Sequence, residues 1–277
     1  MLFALFAIIN QSFAQSSTAS RISVCSGSAI NFVQSGAISG TTYTWSAPVY
    51  NSATVSGGTL QAVPQNSIIQ TLVLDSTATS SATATYDVTP SVGATFQLIV
   101  TVNPIPVLSS NTTKVAVCSG SPYLYQPTSA AGGSITWSRA LVNGISNNGS
   151  TGQGSINETL NNITTNAIDV TYLFALNANG CRSNQPVTVT INPTPYLTTT
   201  LNPNSICSGT IFDYTPQSIF PSTNFTWIRS SNAGINSGSS SSGRDDPNES
   251  LFNTTLFQQT AVYTYTLTDN STSCVGT

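Results

Sequence analysis

The chain has 277 residues, of which six are Lys or Arg, nine are Asp or Glu and none is His, for a net charge of −3. With 39% hydrophobic and 5% charged residues, it lacks the low-hydrophobicity, high-charge composition of a disordered polypeptide. It offers no basic face for nucleic acid, and the missing histidine removes the commonest general base and metal ligand.

The first element is a short apolar run, Leu2 to Ile9, followed by polar Asn10, Gln11 and Ser12 and then Phe13-Ala14-Gln15. The run is too short to span a bilayer and has the length of a signal-peptide apolar region. Residues 1–14 are therefore expected to be a signal peptide cut after Ala14, although no Lys or Arg precedes the run. A buried core strand is the competing reading. Export makes the five cysteines readable as disulfide candidates. No second apolar run of membrane-spanning length follows in the sequence.

Beyond the leader the chain repeats. Cys-Ser-Gly occurs at Cys25, Cys118 and Cys207, with periods of 93 (118 − 25) and 89 (207 − 118) residues. Five and seven positions after each Cys stand Ile30 and Phe32, Tyr123 and Tyr125, and Phe212 and Tyr214. Residues two apart share one face of a strand, so each copy opens on a strand with one buried side. Trp45, Trp137 and Trp227 follow, each with a large apolar residue two before it (Tyr43, Ile135, Phe225), which predicts a second strand. The segments after each Trp, notably Asn143 to Gly154 and Ser230 to Gly243, are rich in Gly, Ser and Asn and read as turn-forming. The cleanest alternation comes next. Ile168, Val170, Tyr172, Phe174 and Leu176 take one face in copy two, and Ala261, Tyr263, Tyr265 and Leu267 in copy three. Such a pattern argues for a half-buried antiparallel strand. Copies one and two close on Phe96-Leu98-Val100-Val102 and Val187-Val189-Ile191. No stretch has convincing helical periodicity, so the expected class is all-β.

The joints are Asn103-Pro104-Ile105-Pro106 and Asn192-Pro193-Thr194-Pro195. Proline fixes its own φ and restricts the residue before it, which favours a stiff, extended connection and ends the strand. The modules are accordingly read as 21–106, 107–195 and 196–277. The third has no final strand or joint, so the natural protein is expected to continue into further modules.

Copy two holds Cys118 and Cys181, copy three holds Cys207 and Cys274, and Ala94 stands where copy one would need a mate for Cys25. The simplest prediction is two bonds inside modules, Cys118–Cys181 and Cys207–Cys274, with Cys25 unpaired. Zinc is the rival reading, but each module has at most two Cys and no His for a four-ligand site. Arg139 and Arg229 lie two residues beyond Trp137 and Trp227, and Glu158 and Glu249 occupy matching later positions. Copy one has Ala47 and Gln70 instead. Presence together and absence together predicts ion pairs Arg139–Glu158 and Arg229–Glu249, whose role would be to fix geometry more than to add stability. Three tryptophans at one strand position read as structural core.

Cys-Ser-Gly, Phe/Tyr-x-Tyr, Thr-Trp-x-x, Gly-Ile, Asn-Glu-x-Leu, Gly-Cys and the Asn-Pro-x-Pro ending together resemble the PKD-like repeat modules of large secreted adhesin-type proteins of gliding and surface-colonising bacteria. The resemblance covers residues 21 to 277. Copy two matches nearly throughout, copy three as far as it runs, and copy one is divergent; the Trp-Asp-Phe-Gly-Asp-Gly core motif of true PKD domains is absent. The resemblance implies tandem immunoglobulin-like β-sandwich modules, no catalytic activity, and a spacer or adhesive stalk. It also implies export through an outer-membrane route with a C-terminal sorting domain.

The expected function is thus a non-catalytic structural or adhesive region of an exported cell-surface protein, with a glycan or protein as surface ligand. The alternatives are a glycan- or protein-binding module that uses the Gly/Ser/Asn-rich loops, and an accessory region of a secreted hydrolase. No nucleophile–base pair can be assembled without His, so no catalytic residue, cofactor or metal is assigned. Asp245, Asp246 and Glu249 have the oxygen chemistry of a Ca2+ loop but read as a solvated turn.

Overall fold

The computed structural model describes residues 18–237 and 241–277; the apolar run read as a signal peptide lies outside them. Among the described residues all regular structure is β, and the strands fall into three successive groups. The first group holds β1 (Ala19–Cys25), β2 (Ala29–Phe32), β3 (Tyr43–Trp45), β4 (Val49–Tyr50), β5 (Val55–Gly57), β6 (Gln61–Gln65), β7 (Ile68–Leu74), β8 (Ala82–Pro90) and β9 (Phe96–Asn103). The second holds β10 (Val115–Cys118), β11 (Pro122–Tyr125), β12 (Ser134–Arg139), β13 (Ser150–Gln153), β14 (Ile156–Thr159), β15 (Ile168–Ala178) and β16 (Cys181–Asn192). The third holds β17 (Ile211–Phe212), β18 (Thr223–Arg229), β19 (Ile235–Ser237), β20 (Ser242–Arg244), β21 (Glu249–Asn253), β22 (Tyr263–Asp269) and β23 (Val275–Gly276).

Each group splits into two sheets. In the first, β1-β9-β8-β3-β6, with β4 also on β8, faces β2-β7-β5. Alternation drives the arrangement: in β8, Ala82, Ala84, Tyr86 and Val88 turn inward while the residues between them do not. Ile30, Ile68 and Leu72 from one sheet then pack with Tyr43, Tyr86 and Leu98 from the other, which makes a sandwich with one core. In the second group β10-β16-β15-β12-β13 accompanies β11-β14, and in the third β20-β18-β22-β23 accompanies β17-β21-β19. The third core gathers Tyr214, Trp227, Tyr265 and Leu267.

Three features depart from the sequence reading. A strand precedes each of the first two Cys-Ser-Gly triplets, and it pairs in parallel with the last strand of its group, β1 with β9 and β10 with β16. The alternation behind β1, Ile22 and Val24 between Arg21 and Ser23, is too brief to stand out. The segments read as turns contain β13, β19 and β20, and β13 and β20 pair with the Trp strands β12 and β18. The third group, read as having no final strand, has a two-residue one: β23 pairs with β22 through Leu267↔Gly276 and Thr268↔Val275.

The chain forms two compact units. The first runs through Val107 and includes Ser129–Ser134 and Leu176–Ser183, the tip of the β15–β16 hairpin; the second is the remainder. In the first unit, buried Asn103 donates to Asn179 O at 3.3 Å and Ser183 Oγ donates to Pro106 O, so the Pro-x-Pro joint is held by the hairpin tip. In the second unit the residue matching Ser183, Gly276, packs so tightly on Pro195 that its carbonyl oxygen leaves no room for a Cβ.

Candidate functional site

The Cys-Ser-Gly triplet is one tight clasp built three times. The serine hydroxyls accept from backbone amides across the sandwich: Ser26 from Leu74, Ser119 from Asn162 and Ser208 from Asn253, each at 2.9 Å. The glycine amides donate to Leu72 O, Leu160 O and Leu251 O at 2.8, 2.9 and 2.8 Å. Gly27, Gly120 and Gly209 have φ of 77°, 78° and 82°, the left-handed region where a side chain is strained. The serine and glycine of the triplet therefore have turn-closing roles, which leaves the cysteine thiol to point elsewhere.

The thiols do not bond as the spacing suggested. The disulfides are Cys25–Cys181 and Cys118–Cys274, each bridging 156 residues, and Cys207 is free and exposed. Cys25, expected to be unpaired, is bonded. The expected bonds Cys118–Cys181 and Cys207–Cys274 do not form, and the register gives the reason. Cys118 lies opposite Asn192, the last residue of β16, whereas Cys181 is the first residue of that same strand. At roughly 3.3 Å per residue the two ends of β16 are about 36 Å apart, and a disulfide needs Cα atoms within about 7 Å. A triplet cysteine therefore cannot reach the hairpin cysteine of its own group; it bonds the hairpin cysteine of the next. Asp269 shapes the hairpin that presents Cys274. Its carboxylate accepts from the hydroxyls of Ser222 (2.8 Å), Ser271 (2.6 Å) and Thr272 (2.6 Å). Burial opposes its ionisation, but these hydrogen bonds outweigh burial and hold the carboxyl well below the usual range.

The second constellation is a buried ion pair under each later tryptophan. Arg139 Nε is 2.9 Å from Glu158 Oε2, and Arg139 Nη2 donates to Asn148 O at 2.7 Å. Tyr172 Oη donates to the same carboxylate at 2.6 Å. Burial alone would raise the Glu158 carboxyl, yet hydrogen bonds from Arg139, Tyr172 and Ser150 and the Arg139 charge hold it below its ordinary value. The Tyr172 hydroxyl is pushed up, first by burial and then by Glu158. In the third group Arg229 Nε is 2.8 Å from Glu249 Oε1, Tyr263 donates to that oxygen, and Arg229 also reaches Ser237 Oγ. The first group replaces the pair with neutral groups: Gln70 Oε1 accepts from Thr59 N at 2.7 Å, and Thr59 O accepts from Trp45 Nε1 at 3.0 Å. Trp45, Trp137 and Trp227 are all buried. Gly152 and Gly243 lie directly across from Trp137 and Trp227, and an added Cβ would come within 2.5 and 2.7 Å of the indole rings. These glycines stood in the segments read as turns, where a Thr-Gly-Gln beside a Trp strand was the available signal.

Of the acidic loop, Asp246 accepts from the amides of Tyr214 (2.9 Å) and Asn248 (3.0 Å), while Glu249 turns inward to Arg229. No cluster of three metal-ligating side chains occurs among the described residues, and no helix among them is long and apolar enough to cross a membrane.

No curated protein matches the chain. Solved structures similar to it include mouse cadherin-23 EC22-24 (16% identity, 94% of this chain and 92% of that one, TM-score 0.30). Others are mouse protocadherin-24 EC1-3 (15%, 94% and 92%, 0.29) and the insect immune protein hemolin (12%, 92% and 72%, 0.30). At such TM-scores these likenesses carry no argument. Residues 22–106, the copy that the sequence reading took as divergent, match the PKD-like domain.

Proposed function

We propose that the chain is a run of three β-sandwich modules, 21–106, 107–195 and 196–277, stitched in series. It acts as a non-catalytic spacer or stalk of an exported cell-surface protein. The observation that carries this reading is the pair of disulfides with one common separation of 156 residues. Each joint then has two covalent connections, the Pro-x-Pro polypeptide and a disulfide, and a doubly connected joint has little freedom to hinge. In the chain-entropy model a closed loop of this size is worth about 5 kcal/mol. Such bonds suit an oxidising, extracellular setting. The PKD-like match of residues 22–106 is compatible with a repeat of this kind. By the same rule Cys207 would bond the hairpin cysteine of a further module.

Small-angle scattering of the protein tests the reading. The oxidised chain should have one narrow distance distribution, and reduction, or Cys25→Ser with Cys118→Ser, should broaden it. Identical profiles in all three preparations would remove the stiffened spacer.

One observation favours a second reading, ligand binding through the loops. Leu256 and Phe257 stand side by side in the loop after β21, 99% and 78% exposed, and an exposed aromatic on a rigid sandwich is a common contact for a sugar or protein. Glycan-array binding that is lost in Phe257→Ala would select it; an array with no signal would dismiss it.

A further inference from the structure

The loop between β21 and β22 is a rigid mount with an apolar tip. Thr254 N donates to Gly234 O at 2.9 Å and Asn232 Nδ2 donates to Thr260 O at 3.0 Å, which pins both ends. Between them Thr255 N and Oγ1 donate to Asn253 Oδ1 at 2.8 and 2.9 Å, and Gln259 Nε2 donates to Thr255 Oγ1 at 3.1 Å. At the tip Phe257 O accepts from Asn253 Nδ2 at 2.8 Å, and Phe257 N donates to Thr255 Oγ1 at 3.3 Å. The second group builds the same frame: Thr164 N and Oγ1 donate to Asn162 Oδ1, and Asn162 Nδ2 donates to Asn166 O. Its tip is Thr165-Asn166. Both residues are exposed although β16 covers that sandwich and the Cys118–Cys274 bond ties the third sandwich to it. The fold itself therefore turns this tip to solvent. In the third group the tip carries Leu256 and Phe257, 99% and 78% exposed, and neither joins the core of Tyr214, Trp227, Tyr265 and Leu267.

We propose that the Leu256–Phe257 tip inserts into the surface of a lipid bilayer. Scattered apolar residues are ordinary on a protein surface, but two large ones side by side at a projecting tip are a concentrated apolar contact. The rest of the loop says what it fits. A sugar needs hydrogen-bonding partners beside a stacked ring, and the side chains of Asn253, Thr255 and Gln259 are already spent on the frame. A charged ligand needs opposite charge, and Ser230–Gly243 and Ser250–Thr268 hold no charged residue. A protein partner would need a preformed pocket for a knob that stands free on every side, Leu256 being 99% exposed. A bilayer needs none of these. It demands an uncharged apolar tip whose backbone polar groups are paired internally, because no water is there to pair them. Phe257 N and O meet that demand. The tip has this chemistry whether or not the chain is a spacer.

The test mixes the full, disulfide-bonded chain with vesicles of neutral phosphatidylcholine and reads binding by flotation. The protein should float with the vesicles at low and high salt alike, since no charge takes part. Leu256→Ser with Phe257→Ser should weaken the partition by roughly 100-fold or more, the loss expected when two apolar side chains no longer leave water. Both positions are exposed in the free protein, so peptide maps of every preparation should show the same Cys118–Cys274 bond. In Phe257→Trp, lipids brominated in the upper acyl chain should quench the added indole and leave the three buried native tryptophans unquenched. Absence of flotation, equal flotation of the double-serine variant, or binding only to anionic vesicles that salt abolishes would overturn the proposal. A glycan-array signal, or a dimer in sedimentation, that depends on Phe257 while vesicles stay unbound would overturn it too.

Discussion

The disulfide connectivity makes a mechanical prediction that bonds inside modules do not make. Load applied between Cys25 and Cys274 in the reduced chain stretches 249 residues (274 − 25), about 870 Å at ~3.5 Å per residue. In the oxidised chain Cys25 is tied to Cys181 and Cys118 to Cys274, so load enters at Cys181 and leaves at Cys118. The shortest covalent path is the 63 residues between them (181 − 118), traversed backwards, about 220 Å. Bonds inside modules, Cys118–Cys181 and Cys207–Cys274, would instead leave 93 residues before Cys118 and 26 between Cys181 and Cys207, about 420 Å in all. Single-molecule pulling from the two termini, with free thiols alkylated under native conditions to prevent dimers, separates these lengths by far more than the instrument's error. Full unfolding at about 220 Å, rising to about 870 Å with reductant, is the expected result. A plateau at about 420 Å, the length left by bonds inside modules, would refute the serial stitching and the steric argument from β16 with it.

Alkylating the native protein without reductant should label Cys207 alone, and non-reducing peptide maps should show Cys25–Cys181 and Cys118–Cys274. Arg139→Met should destabilise the second sandwich by about 3–5 kcal/mol because it leaves a buried carboxylate without its cation. Adding Glu158→Leu to it should recover much of that loss in urea melts. Glu158 is held below its ordinary value, so its contribution is full above the unfolded carboxyl pKa and is lost as pH falls through the lower folded value; Glu158→Gln should flatten that acid limb of the stability curve. Gly152→Ala, whose Cβ would come within 2.5 Å of Trp137, should cost about 1–3 kcal/mol by overpacking, and an unchanged melting temperature would show that the indole simply moves aside.

Much of this architecture is legible in the sequence because it is local. Period-two alternation places Tyr172 and Phe174 on one face without any knowledge of neighbours, and joint presence of Arg and Glu in two copies, with joint absence in the third, marks residues that meet between the two sheets of a sandwich. What is illegible is pairing between distant segments whose own patterns are short. β10 spans four residues and β23 two, and the parallel partner of β10 is set by the topology of the whole sandwich. The strand β13 hides in a Gly- and Ser-rich run because its glycine serves a neighbour, the Trp137 ring, and not its own backbone.

The cysteines show why repetition in sequence can mislead about connection in space. Two cysteines per repeat invite a bond within the repeat, and chain entropy agrees, since a loop of about 63 residues costs slightly less to close than one of about 156. That difference is about 0.8 kcal/mol by the logarithmic law, whereas bringing the two ends of one twelve-residue strand together is geometrically impossible. Geometry therefore decides, and it turns a mark of the single module into a link between modules. A cysteine beside each end of a last strand, each useless to the other, is the arrangement expected where bonds must run along a series. The repeat unit is in this sense the joint, with the sandwich as the spacing between joints.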